Sequence, residues 1–103
     1  MSARVRAVFM LVAPESDPQQ HQLDLETPVV SLRIVAVASY NEAEQVAREC
    51  VEQGYSGIEL CAGFGAEGVA RVAAAVGPDI PVGVVRFDHH PLLAYNCGDR
   101  LFA

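Results

Sequence analysis

The sequence predicts a single α/β domain over residues 1–103, with a four-stranded, mainly parallel sheet built from βαβαβαβ units. The sheet is expected to be flavodoxin-like or half of a βα-barrel. Three features lead there. Four apolar runs recur near residues 5–13, 29–38, 57–62 and 80–87. The stretches between the later runs carry apolar residues at helical spacing, and strands alternating with helices imply a parallel sheet with right-handed crossovers. A chain of 103 residues also has the size of one domain with one thin core.

The elements follow in order. Residues 5–13 are almost unbroken in apolar character, the pattern of a strand covered on both faces, until Pro14 ends the run. Asp17-Pro18 has the form of a helix start, with Asp17 as N-cap and Pro18 in the first turn. A short helix over 18–25 is expected, stopped before Thr27-Pro28. The second strand covers 29–38, its core beginning near Leu32. Ser39 and Glu42 then have capping-box spacing, and Ala43, Val46, Ala47, Cys50 and Val51 fall on one helical face that Gly54 terminates. The third strand occupies 57–62. A further helix carries Val69, Val72, Ala73 and Val76 on one face and closes at Gly77-Pro78, and the fourth strand covers 80–87. In the tail from 91 to 103, Leu92, Leu93, Leu101 and Phe102 read as packing or interface residues.

Seven basic residues against thirteen acidic ones give a net charge of −6. Such a surface repels nucleic acid and anionic lipid, so neither is an expected partner. Half of the residues are hydrophobic, 51%, which points to apolar surface hidden in a homo-oligomer, most simply a homodimer. Cys50, Cys61 and Cys97 are odd in number and lack C-x-x-C spacing, which fits a reduced, cytosolic protein. No signal-peptide core is visible, and the apolar run 7–13 is too short to span a membrane.

Ligands of parallel α/β sheets bind beyond the carboxyl ends of the strands. That places Glu59, Cys61, Arg86 and Asp88 near one another. Alternation puts Glu59 with Cys61 and Arg86 with Asp88, and if the two strands are neighbours the four converge, with Glu59–Arg86 as the natural ion pair. Arg86, Cys61 and the loop residues Gly63, Phe64 and Gly65 are the candidate ligand-binding groups. Glu59, Asp88, His89 and His90 are the candidate acid–base groups, the histidines because imidazole titrates near neutrality. Gly63-Phe64-Gly65-Ala66-Glu67-Gly68 matches G-x-G-x-x-G between a strand and a helix, with Asp88 about twenty residues further on. Too little chain follows for a dinucleotide fold, and no cofactor is expected. A small anion held by amide N–H groups at the helix start is the more modest expectation. Asp88-His89-His90-Pro91 resembles the Asp-His-His signature of a manganese-dependent phosphoesterase superfamily, over four residues alone. That superfamily also needs an aspartate pair on an early strand, which the first strand lacks, and no metal is assigned.

Over nearly its full length the chain resembles a small, mostly bacterial family of uncharacterised proteins, a domain of unknown function. The resemblance rests on L-V-A-P-E-S-D-P-Q-Q-H from residue 11, E-T-P at 26–28, I-E-L-C-A-G-F-G-A-E-G-V-A-R at 58–71 and P-V-G-V-V-R-F-D-H-H-P at 81–91. It implies no particular activity. From the residues themselves, the expected function is isomerase- or lyase-type acid–base chemistry on a small anionic metabolite. The alternatives are a non-catalytic binding or assembly module and a metal-dependent hydrolase.

Overall fold

A computed structural model describes residues 4–103. Nine elements follow one another: β1 (Val5–Val12), β2 (Gln22–Glu26), β3 (Val30–Val37), α1 (Tyr40–Glu52), β4 (Gly57–Leu60), α2 (Ala66–Val76), β5 (Val82–Val84), a 3₁₀ turn (Pro91–Leu93) and α3 (Gly98–Phe102). The sheet has five strands in the order β2-β3-β1-β4-β5. Four of them are parallel, and β2 runs antiparallel to β3 at one edge.

The extra strand corrects the expected four-stranded sheet and replaces the helix expected over 18–25. Asp17 does cap a turn: its carboxylate accepts the Gln19 N–H at 2.9 Å, and its carbonyl accepts the N–H groups of Gln20 and His21. The turn goes no further because Gln22-Leu23-Asp24-Leu25-Glu26 alternates in polarity, and a period of two suits a strand. Asp24 and Glu26 then bond across to β3, Asp24 to Arg33 at 3.0 Å and Glu26 to Ser31 at 2.9 Å. The last strand is also shorter than expected. Its partner β4 ends at Leu60, so the ladder stops once the Val85 N–H has reached the Leu60 carbonyl.

The route through β2 decides the layering. The chain passes from β1 to β3 without a helix, and α1 and α2 pack against each other on one face of the sheet. A doubly wound flavodoxin-like sheet has helices on both faces, and a βα-barrel half is all-parallel; this sheet departs from both. Register makes the division sharp. Met10 pairs with Val35 and Leu60, and these rows, with Val8, Val12, Val37 and Ile58, are buried beneath Ala43, Val46, Ala47 and Cys50 of α1 and Val72 of α2. Ser39 caps α1 as expected, the Glu42 N–H donating to its hydroxyl at 3.2 Å, while the Glu42 carboxylate accepts the Ala38 N–H at 2.8 Å, one residue before the N–H a full capping box would engage. Gly54, at φ 97°, takes the left-handed turn that ends α1.

The tail folds back over the carboxyl ends of the strands. Phe102 is buried in the core, and Gly98 lies directly against the carbonyl oxygen of Gly63. A methyl group at position 98 would meet that backbone oxygen, which has no rotamer with which to yield. Gly98→Ala should therefore destabilise the fold by about 1–3 kcal/mol, the range for overpacking. Urea unfolding of the two proteins tests this, and equal midpoints would show that the tail is not docked on the loop.

Candidate functional site

The connections out of β1 and β3 run in opposite directions, so the switch point of the sheet lies between the carboxyl ends of β1 and β4. That crevice is filled by the chain itself. The 63–65 loop crosses it so closely that a Cβ on Gly63 would stand 3.0 Å from Val12 Cγ1, and Gly98 closes it from above. Phe64 is fully buried and stacks on Tyr40 with ring centroids 5.5 Å apart, a core contact that exposes nothing to a ligand. Burying a phenylalanine in this way stabilises the fold by about 1.5–3 kcal/mol.

The amide groups of this loop are also taken. The Gly65 N–H donates to the Tyr40 hydroxyl at 2.9 Å, and the Gly63 N–H donates to Cys61 Sγ at 3.3 Å. Asp99, from the start of α3, supplies the anion at the N-terminus of α2. Its carboxylate accepts the N–H groups of Glu67 at 3.0 Å and Gly68 at 3.2 Å, and the Tyr40 hydroxyl at 2.8 Å. A carboxylate there also meets the positive end of the helix dipole. Burial pushes the Asp99 carboxyl up, but hydrogen bonds from Glu67, Tyr40, Gly68 and Cys97 outweigh it and hold the group below the usual carboxylate range. Burial holds the Tyr40 hydroxyl well above its ordinary range, so it stays protonated and able to donate.

The four residues expected to converge do not. Glu59 pairs with Gly83 in the β4–β5 ladder, and Val85 follows Gly83 onto the same face. Arg86 falls on the other side by alternation, and its guanidinium binds Asp88 at 2.6 Å in an exposed pair rather than Glu59. His90 Nδ1 accepts the Leu92 N–H at 3.1 Å, and its ring packs on Phe87 with centroids 4.8 Å apart. His89 is exposed. Among the described residues, no group of three or more His, Cys, Asp and Glu side chains is placed to hold a metal ion. Cavities of about 140, 300 and 210 Å³ open along α1, and none of these three is lined by a candidate ligand-binding or acid–base residue.

What remains is the sheet face that α1 and α2 leave open. One row crosses it as Leu23–Ile34–Phe9–Glu59–Gly83, and the neighbouring rows hold Leu25, Leu32, Ala7 and Gly57 on one side and Ala36, Leu11, Cys61 and Val85 on the other. Glu59 is the sole charged side chain in these rows. Phe9 flanks it on β1, whereas Gly83 on β5 has no side chain and a Cβ there would meet nothing within 4 Å. A notch therefore opens beside the carboxylate, and the half-buried Cys61 lies just past the end of β4, its Sγ held by the Gly63 N–H. Sequence reasoning found Glu59 and Cys61 but missed Asp99 and Tyr40, whose roles depend on contacts 31 to 59 residues apart in the chain.

Fold and site together define a two-layer α/β protein with one bare, apolar sheet face and a single carboxylate upon it. The chain belongs to the DUF6506 family, a family of unknown function, which matches residues 5–100. No curated protein and no solved structure matches it.

The Asp99 junction makes a pH prediction. A carboxyl whose folded pKa is lowered contributes stability that is present above its unfolded value, about 3.9, and is lost as pH falls through the folded value. Asp99→Asn should be less stable by about 1–3 kcal/mol at pH 7. That gap should narrow once the pH falls below about 4. Urea unfolding across this range measures it, and a gap that stays constant would show that the carboxylate charge contributes nothing.

Proposed function

We propose that the open sheet face is a small-molecule site at which Glu59 carries a proton, in isomerase- or lyase-type chemistry. One observation supports the reading above the others: a lone carboxylate stands in an apolar sheet face beside a gap left by Gly83. The exposed carboxylate lies within reach of an X–H group on any ligand laid over this face, which is the geometric requirement for proton transfer. The notch favours a ligand with an apolar body and a polar or acidic X–H group directed at Glu59. An anionic group on that ligand is less well provided for than the sequence implied, because Asp99 occupies the α2 terminus and Asp88 occupies Arg86.

A second reading, a non-catalytic binding or assembly module, is favoured by a separate observation. The half-buried Cys61 is the one other side chain of these rows that bears chemistry, and no second acid or base stands in them beside Glu59.

A thermal-shift screen of small metabolites against wild type and Glu59→Gln separates these readings. Ligands that stabilise wild type should stabilise Glu59→Gln less, and the substitution should not itself unfold the chain because Glu59 is exposed. For each such ligand, exchange of a carbon-bound proton with deuterated water should proceed on wild type and slow by about 10²–10⁴-fold in the variant. Equal binding and equal exchange by both proteins would remove Glu59 from the site. Binding without exchange would select the non-catalytic reading.

A further inference from the structure

We propose that a second copy of this chain covers the open sheet face, and that the notch beside Glu59 becomes an enclosed chamber only in that dimer. The chamber's role rests on the reading of Glu59 given above; the dimer itself does not.

The face extends from edge to edge. Leu23 on β2 is 60% exposed, Val5 on β1 59% and Val85 at the end of β5 54%, with Phe9, Leu11, Leu32 and Ile34 half-buried between them. Strands about 4.8 Å apart, rising about 3.3 Å per residue, give five strands of 8, 5, 8, 4 and 3 residues a face of roughly 450 Å². Two such faces bury roughly 900 Å² in all, the size of a small, readily reversible interface. An apolar patch of that size matches the largest that monomers ordinarily leave in water, and such patches are often binding surfaces.

Charge selects the occupant. The chain carries −6, so two copies repel each other over most of their surfaces. The open face is the exception, with Glu59 as its one charge, and it offers no charge pattern that a basic or acidic partner would complement. Apolar rows are self-complementary, as a two-fold interface requires. A two-fold axis along β1, the central strand, sets β4 against β3 of the other copy. Each notch then faces an apolar strand, and the two Glu59 carboxylates stay apart. Packed sheets stand about 10 Å apart, which leaves room where Gly83 and Gly57 lack side chains. A flat face is no cavity until something lies over it.

Sedimentation equilibrium at micromolar concentration tests this with Leu23→Glu/Val85→Glu, two exposed positions at opposite edges of the face, and with Leu92→Glu as control. Leu92 is 87% exposed in the 3₁₀ turn, away from these rows. Wild type and Leu92→Glu should show twice the 11.0 kDa chain mass. The double variant should dissociate, its dimer weakened by about a hundredfold or more, with an unchanged circular dichroism spectrum. If the double variant is unfolded, the single change Leu23→Glu takes its place with the same expectation. A monomeric wild type, a folded variant that stays dimeric, or dissociation by Leu92→Glu would each overturn the proposal. Glu59→Gln should remain dimeric even where it abolishes proton exchange, so failure of the dimer and failure of the chemistry are read separately.

Discussion

The carboxylate of Asp99 holds together the end of the molecule at which α/β proteins ordinarily work. It accepts two amides from the first turn of α2 and the Tyr40 hydroxyl from the first turn of α1, and the Tyr40 oxygen in turn accepts the Gly65 amide. Three segments distant in sequence, the starts of α1, α2 and α3, meet at one charge. Each bond is charge-assisted or buried, and the Gly65 N–H, which is buried, would lose its partner if Tyr40 were removed. The burial of Phe64 and Phe102 around the Tyr40 ring depends on this arrangement, and so does the docking of the tail.

Filling that end of the sheet moves any binding function elsewhere. The loop with the glycine spacing of a phosphate cradle is instead an internal joint. Its glycines are required because Val12, Tyr40, Asp99 and Cys97 come too close for side chains: a Cβ on Gly68 would lie 2.5 Å from the Tyr40 ring, and one on Gly65 2.5 Å from Asp99 Oδ1. The face opposite the helices stays uncovered because the chain reaches β3 through β2 rather than through a helix. Loss of one crossover helix thus explains both the apolar open face and the isolation of Glu59 upon it.

Local signals in the sequence were read well and long-range ones poorly. The Ser39 cap, the apolar stripe through Ala43, Val46, Ala47 and Cys50, and the stops at Gly54 and Gly77 each depend on residues a few positions apart, and each is present. Asp17-Pro18 carries a cap signal, which says where a turn begins and nothing about its length. The alternation that follows in β2 carried the missing information. Glu59 and Cys61 were placed on a shared face by alternation, which is local. Their relation to Arg86 needed the register of β5 against β4, which a single sequence does not encode. Asp99 gave no local sign of its role, since it caps a helix that begins more than thirty residues earlier.

The filled terminus of α2 separates this account from a phosphate-loop reading, and amide NMR during titration with inorganic phosphate probes it directly. If Asp99 occupies the site, the amides of Gly65, Glu67 and Gly68 should show no saturable shift with millimolar phosphate near neutral pH. In Asp99→Asn, which removes the competing charge, such shifts should emerge at the same amides. Saturable shifts at these amides in the wild-type protein would mean that the terminus is open to ligands, and the account of the molecule given above would be wrong at its centre.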